Sequence, residues 1–257
     1  MPTTRVPRLC VLIDADNVPA RYAEAIFEEI SGIGEASVRR IFGDWSSPQL
    51  ATWAETVTSL GLVADQQFAN TPHKNASDIG LVIAAMDFLH SGLFDGFVLV
   101  SSDSDFTRLA ARIREQGADV FGFGEKKTPE AFRKACKRFI YVENLGRVLN
   151  DTPLDSAHPP AGQPSSPEPP PPPLATDTSL TPGKSVKIIR AAMKRIKQEG
   201  EWYMLGQLGQ SIAQAVPDFD TRSYGCAKLS DLLRETGQFD VKTGPGNHLI
   251  ARPRQKL

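Results

Sequence analysis

Apolar and polar positions follow two periods in turn along residues 1–150, and this alternation predicts strands and helices in succession. The apolar runs Leu9–Ile13 and Gly96–Val100 are typical of strands that are buried on both faces. Ala20–Ser31 instead carries apolar residues three and four positions apart, which predicts an amphipathic helix. Repeated β-α-β units predict an α/β domain whose parallel sheet is covered by helices on both faces, with right-handed crossovers.

The same two periods predict the other elements of residues 1–150. The further predicted strands are Ser37–Phe42, Leu62–Gln67, Asp119–Gly124 and Arg138–Val142, and the further predicted helices are Pro48–Leu60, a helix that opens at Asp78, Asp103–Gln116 and Pro129–Ala135. In the helix that opens at Asp78, we expect one apolar face, formed by Ile79, Val82, Ile83 and Met86, to pack on the sheet.

The composition changes after residue 150. Residues 151–183 are rich in Pro, Ser, Ala and Thr and include the run Pro169–Pro173, which predicts a disordered, semi-stiff linker. Residues 184–257 show three apolar helix faces and then a hairpin turn at Thr243–Asn247. Three helices and a hairpin predict a small winged-helix-like C-terminal domain. The predicted division of the chain is therefore 1–150, 151–183 and 184–257.

The formal net charge of -1 over 257 residues conceals an asymmetry between the two predicted domains. Residues 184–257 carry 13 Lys and Arg against 7 Asp and Glu, whereas residues 1–150 carry 16 against 19. A basic module attached to a domain with clustered acids is consistent with a nucleic-acid enzyme. It is equally consistent with a basic surface that has no partner, so charge alone does not decide between them.

Apolar run lengths and cysteines bear on the cellular location. The chain has no run of about 18 apolar residues that would predict a transmembrane helix, and no signal-peptide core precedes Asp14. Cys10, Cys136 and Cys226 are odd in number and lack metal-ligand spacing, which favours reduced thiols. These features predict a cytoplasmic protein without a membrane partner.

Acidic residues cluster where predicted strands end and helices begin. Asp14 directly follows the first strand, Asp103 follows the strand Gly96–Val100, and Asp78 and Asp105 lie in first turns of helices. Because functional groups of an open α/β sheet gather at the carboxyl ends of its strands, we expect these four carboxylates to converge. Converging carboxylates repel one another unless a cation lies between them, and Mg²⁺ and Mn²⁺ prefer oxygen ligands. The pattern predicts a catalytic metal site at this edge.

Each aspartate taken singly also fits an ordinary structural role. Asp78 and Asp103 stand where helix N-caps occur, and Asp105 suits the positive end of a helix dipole. Asp16 and Asn17 fit a plain turn. The metal site is favoured by the combination of two acids at strand ends, each flanked by a second polar candidate.

Two polar residues near these acids are candidates for substrate contacts. Lys74, in the loop before Asp78, is suited to hold a substrate phosphate, although a solvated loop lysine explains it equally well. Ser101, beside Asp103, is suited to donate a hydrogen bond to a phosphate or to a metal-bound water. A serine-rich turn also needs no function.

Three blocks of the chain, Leu12–Asn17, Asn75–Asp78 and Val100–Phe106, resemble the signature blocks of NYN domains. That family includes the LabA-like proteins and belongs to the PIN-like ribonuclease superfamily. The resemblance spans about Arg8 to Leu145 and implies a Rossmann-like α/β/α sandwich that cleaves RNA with Mg²⁺ or Mn²⁺. The residues that match the acidic positions are Asp14, Asp78, Asp103 and Asp105, and Asn17 matches the asparagine after the first aspartate.

The C-terminal region resembles an OST-HTH/LOTUS domain in Tyr224–Leu233 and in Trp202–Leu208. The resemblance implies RNA binding or, in some members, docking to a protein partner. The expected RNA contacts are Tyr203, Arg222 and Lys228, by stacking and by phosphate pairing. For Tyr203 a place in the core is equally open, and Trp202 is expected to close the small core.

These observations lead to one principal hypothesis and two alternatives. The principal hypothesis is a metal-dependent endoribonuclease with an appended RNA-binding module, in which Asp14, Asp78 and Asp103 bind the metal. Asp105 would complete the ligand set or orient the attacking water. The first alternative is a non-catalytic RNA-binding adaptor that keeps the acidic pocket. The second is a phosphatase-type phosphoryl-transfer enzyme. The sequence leaves the oligomeric state open.

Overall fold

The computed structural model describes residues 5–66, 76–145, 180–196 and 200–254. The predicted linker up to residue 179 and the loop that contains Lys74 lie outside these ranges. No helix within the described ranges is long and apolar enough to cross a membrane.

The N-terminal domain is built on a six-stranded, fully parallel sheet of order β3-β2-β1-β4-β5-β6. Its strands are β1 (Arg8–Asp14), β2 (Glu35–Gly43), β3 (Val63–Gln66), β4 (Gly96–Val100), β5 (Asp119–Gly124) and β6 (Arg138–Tyr141). Its helices are α1 (Ala23–Ser31), α2 (Ala51–Ser59), α3 (Ala76–His90), α4 (Thr107–Glu115) and α5 (Glu130–Ala135). The predicted α/β class and the order of strands and helices are confirmed, with single turns of 3-10 helix preceding α1, α2 and α4.

The side chains of β1 alternate between two apolar cores, one on each face of the sheet. Leu9, Val11 and Ile13 pack with residues of α1 and α2, whereas Cys10 and Leu12 pack with residues of α3, α4 and α5. Because successive side chains of a strand point to opposite faces, a strand buried on both sides must be apolar throughout. The sequence of β1 meets this condition up to Asp14.

The predicted apolar face of α3 was partly wrong. Ile79 and Ile83 are 62% and 57% exposed, and the fully buried residues of this helix are Leu81 and Ala85. The predicted neighbours of the two isoleucines, Val82 and Met86, are only partly buried. The helix is apolar around most of its circumference, so periodicity alone did not decide which side faces the sheet.

The C-terminal domain contains three helices and a three-stranded antiparallel sheet of order β7-β9-β8. Its elements are α6 (Ser185–Arg195), β7 (Tyr203–Met204), α7 (Leu205–Ala215), α8 (Leu229–Glu235), β8 (Phe239–Thr243) and β9 (Leu249–Pro253). A compact core that includes Ile189, Leu208 and Leu233 joins the helices to one face of the sheet. This agrees with the predicted winged-helix-like outline.

The C-terminal domain contacts the outer edge strand β6 of the large sheet. The backbone N–H of Phe139 donates to the carbonyl of Pro217 at 2.9 Å. The Tyr141 hydroxyl donates to the Asp218 carboxylate at 2.8 Å, and Arg133 pairs with the same carboxylate. These contacts give the open edge of the sheet backbone and side-chain partners, so the two domains are docked and not merely joined by a tether.

Candidate active site

The candidate site lies where strand order reverses between β1 and β4. These two strands are parallel neighbours at the centre of the sheet. The chain adds β2 and β3 on the side of β1, and it adds β5 and β6 on the side of β4. Loops that leave such a pair separate from each other and leave a crevice beyond the carboxyl ends of the strands. Asp14 is the last residue of β1, and Ser101 directly follows β4. The sequence therefore delivers a carboxylate and a hydroxyl to the crevice.

Asp14 is almost fully buried, and its two carboxylate oxygens have different surroundings. The side chain is 1% exposed. Oδ2 accepts hydrogen bonds from Ser101 Oγ and from Asn17 Nδ2, each at 2.7 Å. Oδ1 is buried and has no hydrogen-bond partner among the described residues. A buried carboxylate oxygen without a donor is costly, so this atom marks a place where a cation or a donor would be stabilising.

Ser101 connects the two strand ends. Its hydroxyl donates to Asp14 and also accepts the backbone N–H of Asp103 at 3.0 Å. Asp103 in turn caps the short 3-10 turn at Ser104–Phe106, where its Oδ1 accepts the Asp105 N–H at 2.9 Å. The capping role that the sequence left open for Asp103 is therefore present, in a residue that also faces the crevice.

The first turn of α3 brings one further carboxylate, that of Asp78, to the same crevice. Asp78 is half-buried there, and Ser77 Oγ donates to Asp16 Oδ2 at 2.9 Å. This hydrogen bond joins residues 61 positions apart and holds the start of α3 against the end of β1. The sequence does not predict this role of Ser77, because a contact over this separation leaves no local pattern.

Burial and mutual repulsion raise the pKa values of two of these carboxyl groups. Desolvation raises the pKa of Asp14 to about 6, helped by Asp78 and Asp16 and opposed by the hydrogen bonds from Ser101 and Asn17. Desolvation, followed by the charges of Asp103, Asp105 and Asp16, raises the pKa of Asp78 to about 6. The predicted convergence of carboxylates is thus visible as electrostatic coupling.

The donor set suits a hard divalent cation, although the side chains do not enclose one. Within the described ranges, no group of three or more His, Cys, Asp and Glu residues is arranged closely enough to hold a metal ion. The available donors are carboxylate oxygens, which Mg²⁺ and Mn²⁺ prefer, and Asp14 Oδ1 lacks any other partner. The residues fit such an ion chemically, and the carboxylates would have to come closer together to share it.

A cleft of about 480 Å³ opens beside the acidic residues. Asp16 and Asn17 line one side, Gln49 lines another, and Arg21 and Lys127 contribute positive charge. This volume lies within the range of about 300–1,000 Å³ that small-molecule sites occupy. The cleft is large enough for part of a nucleotide chain, and its cations lie next to a cluster of carboxylates.

Glu125 is a further carboxylate at this edge that the sequence analysis did not select. It directly follows β5, just as the serine-aspartate block follows β4, and its backbone N–H donates to Ser102 Oγ at 2.9 Å. Its carboxylate pairs with Lys127 at 2.5 Å. Glu125 could have been predicted from its position, because it is an acidic residue directly after a buried strand, as Asp14 is at the end of β1.

The other predicted site residues that the structure describes lie away from the crevice. Lys74 is outside the described residues. Lys228 is exposed in front of α8, and Tyr203 is half-buried against the small core. Arg222 pairs with Asp220 at 2.8 Å and, across the domain boundary, with Glu29 at 3.0 Å. Arg222 is therefore engaged between the domains, which gives it a structural role in place of an open face for RNA.

Comparison with known proteins gives matches to two family models and partial likenesses to solved structures, two of which are described below. The model of the NYN domain matches residues 8–144, and that of the OST-HTH/LOTUS domain matches residues 182–251. The NYN match implies a nuclease-type fold, and OST-HTH/LOTUS is an RNA-binding domain. The search of curated proteins found no match.

Both structural likenesses are partial. A crystal structure of a protein of unknown function from Vibrio parahaemolyticus is 17% identical, covers 54% of this chain and 94% of its own, and has a TM-score of 0.46. A solution NMR structure of an uncharacterized protein from Nitrosomonas europaea is 32% identical, covers 38% of this chain and 95% of its own, and has a TM-score of 0.27. With TM-scores below 0.5, neither likeness supports an argument about this protein.

Proposed function

The chain belongs to the NYN-domain family, and from this premise we propose that it is a metal-dependent endoribonuclease that hydrolyses RNA phosphodiesters. In this proposal residues 1–150 form the nuclease domain, 151–183 a linker and 184–257 an RNA-binding domain. The proposal includes a cytoplasmic location, where Cys10, Cys136 and Cys226 would stay reduced.

The observation that carries the proposal is the unpartnered, buried Oδ1 atom of Asp14 within a group of repelling carboxylates. A carboxylate whose pKa is raised by burial and by like charges is poorly suited to remain ionised without a cation. A purely structural Asp at a strand end would have both oxygens hydrogen-bonded or solvated. This arrangement therefore favours a site that is completed by a divalent cation.

We assign a role to each residue around Asp14. Asp14, Asp78 and Asp103 would hold Mg²⁺ or Mn²⁺, and Asp105 would complete the ligand set or orient the attacking water. Ser101 and Asn17 hold Oδ2 of Asp14, which leaves Oδ1 without a hydrogen-bond partner among the described residues and available to a cation. Ser101 would also contact the substrate phosphate. When bound, such a metal ion activates water and neutralises developing charge on the phosphate.

The cleft beside Asp16 and Asn17 would accommodate one side of the RNA strand. Arg21 and Lys127 line it and would contact phosphates next to the scissile bond. Both side chains are exposed, and each would exchange a surface contact, with Tyr22 or with Glu125, for a phosphate. Lys74, in the loop before α3, remains a proposed phosphate contact.

The C-terminal domain would hold RNA near this cleft, and its docking on β6 would fix the distance between the two surfaces. Exposed Lys228 is its proposed phosphate contact. Tyr203 packs against the small core, so any contact it makes with RNA would use only its outer edge. Binding of a protein partner is the alternative role of this domain within the proposal.

The test is cleavage of a labelled single-stranded RNA with Mg²⁺ or Mn²⁺ by the full chain, with EDTA as the metal control. Wild type would be compared with Asp14→Asn and Asp103→Asn, and with Asp87→Asn as a matched control on the exposed side of α3. We expect a loss of at least about 100-fold in the first two variants, because each removes a charge from the metal site. Asp87→Asn should cut RNA as wild type does.

Two results would contradict the proposal. Cleavage that survives both Asp14→Asn and Asp103→Asn would place the chemistry elsewhere. Wild-type protein that binds RNA but does not cut it with either metal would favour the non-catalytic adaptor. That second outcome is a real competitor, because no three candidate ligands in the described ranges yet enclose a metal ion.

A further inference from the structure

The small sheet of the C-terminal domain has an outer face that takes no part in its core. In the strand register, Tyr203 and Val241 both pair with Ala251, and all three belong to the core face. Because side chains alternate along a strand, the next positions point away from the helices. Those positions are Met204, Ile250 and Lys242 in one row, and Arg252 and Asp240 in the next.

Trp202 lies with this outer face and not in the core. It precedes β7 and is half-exposed, and the ring is not part of the cluster that contains Tyr203. Lys242 Nζ is 4.1 Å from the ring centroid, and Arg252 Cζ is 4.7 Å from it. The expectation that Trp202 closes the small core is therefore wrong. We call Trp202, Lys242 and Arg252 the outer sheet face.

The two cations on this face differ in whether carboxylates neutralise them. Arg252 pairs with Glu201 at 3.1 Å and with Asp240 at 3.2 Å. Lys242 has no ion pair with any carboxylate in the described ranges, and its ammonium is placed only over the tryptophan ring. Lys242 therefore offers an exposed, unneutralised cation beside an aromatic surface, in a region of the chain where bases outnumber acids by 13 to 7.

We infer that the outer sheet face binds single-stranded RNA, with a base stacked on Trp202 and a phosphate held by Lys242, while Arg252 stays paired with Glu201 and Asp240. A cation over an exposed tryptophan is weakly held in comparison with a stacked base, so a base can replace Lys242 on the ring. The displaced ammonium then remains beside the strand as a phosphate contact. Single-stranded RNA fits better than a duplex, because only an unpaired base exposes its face for stacking.

This inference rests on RNA as the ligand of the proposed function, but it does not depend on cleavage. Binding can therefore be measured in EDTA with the full chain, by fluorescence anisotropy of a labelled single-stranded RNA. The variants are Trp202→Leu, Trp202→Phe and Lys242→Gln. The matched control is Lys187→Gln, because Lys187 is an exposed cation of the same domain that lies on α6.

We expect Trp202→Leu to weaken RNA binding about 10-fold and Trp202→Phe to restore most of the affinity, because any aromatic ring can stack. Lys242→Gln should weaken binding about 3-fold and reduce the slope of log affinity against log salt by about 0.7, the value for one phosphate contact on a single strand. RNA should quench tryptophan fluorescence in wild type, and this quenching should shrink in Trp202→Leu. Lys187→Gln should bind as wild type.

Three outcomes would overturn the inference: wild-type affinity in both Trp202→Leu and Lys242→Gln, an equal loss in Lys187→Gln, or no RNA binding by wild type. If Trp202→Leu does not fold, Lys242→Gln and the salt slope still decide, since that side chain is exposed. If wild type binds RNA through this face without cutting it, the inference stands and the nuclease proposal fails. If wild type cuts RNA and the variants bind RNA as tightly as wild type, the inference fails and the nuclease proposal stands.

Discussion

The acidic crevice of the N-terminal domain and the outer sheet face of the C-terminal domain place Asp residues in opposite environments. In the crevice, desolvation raises the pKa of Asp14 to about 6. Next to the outer sheet face, at the position that pairs with Arg252, hydrogen bonds from Arg254 and Arg252 lower the pKa of Asp240. Aspartate is thus harder to ionise than usual in the crevice and easier to ionise than usual beside the outer sheet face.

This difference in pKa follows from the way in which each region is assembled. The crevice collects carboxylates from β1, the start of α3 and the loop after β4, which are far apart in sequence. The outer sheet face is formed by alternate residues of adjacent antiparallel strands and stays in contact with water. Convergence of distant elements produces burial and strong coupling, which suits chemistry, whereas an exposed sheet face suits reversible binding of a strand.

The largest expected effect is on stability, from Asp14→Asn measured without divalent cations. The folded pKa of Asp14 lies above the ordinary value of 3.8, so ionisation opposes folding and wild-type stability should fall as pH rises from about 4 to above 6. A shift of about two pKa units corresponds to about 3 kcal/mol. Above pH 7 in EDTA, the variant should therefore be more stable than wild type by up to about 3 kcal/mol.

Urea denaturation across this pH range measures the effect, with Asp87→Asn as the exposed control. Added Mg²⁺ or Mn²⁺ should stabilise wild type and leave Asp14→Asn unchanged, because a ligand stabilises only the state that binds it. Parallel pH curves for wild type and Asp14→Asn would show that the crevice is better solvated than its geometry indicates.

Gly124→Ala would disturb the crevice without changing any charge. A Cβ at this position would lie 2.6 Å from the carbonyl oxygen of Ser101 and 3.0 Å from the Phe139 ring. We expect a loss of about 1–3 kcal/mol in unfolding free energy, as for other overpacked sites, and a loss of cleavage because Ser101 would shift. Gly206→Ala in α7, where an added Cβ would meet no atom within 4 Å beyond its chain neighbours and the backbone of its own helix, is the control and should be neutral or slightly stabilising.

Asp218→Ala would test whether the two regions are held in a fixed relation. The substitution leaves Arg133 and the Tyr141 hydroxyl without their shared carboxylate across the domain boundary. Losing these charge-assisted hydrogen bonds should cost about 1–3 kcal/mol. Calorimetry should then resolve two unfolding transitions where wild type shows more concerted unfolding. Asp231→Asn, which affects only contacts within α8, the exposed pair with Arg234 and the hydrogen bond from Ser230, should change little, and an equal effect in both variants would argue against docking.

The smallest expected effect is that of Ser101→Ala on the titration of Asp14. The hydroxyl of Ser101 lowers the pKa of this carboxyl group, so its removal should raise that pKa further, by up to about one unit. Carboxyl-carbon NMR in EDTA would follow the titration, with Ser91→Ala as a surface control. A pKa that does not move would mean that a water takes the place of the hydroxyl.

The local pattern of apolar and polar residues was sufficient to predict the strands and helices and to select most of the acidic residues at the crevice. The bounds of β4 and β5 were predicted to the residue, because an apolar run flanked by glycine and polar residues has few alternatives. The face that α3 buries was not predictable in this way, since a helix that is apolar on most sides can pack in several orientations. In the folded protein α3 packs on the sheet in the orientation that leaves Ile79 and Ile83 exposed.

The sequence by itself determined the β-α-β order and the acids at strand ends, because periodicity and strand position are local properties of the chain. Only the tertiary structure decided that Asp14 has one satisfied and one unpartnered oxygen, that Ser77 reaches Asp16, and that Trp202 turns outward under Lys242. It also placed Arg222 between carboxylates of two domains. These facts depend on contacts between residues far apart in the chain, where burial and partner geometry set each side chain's role.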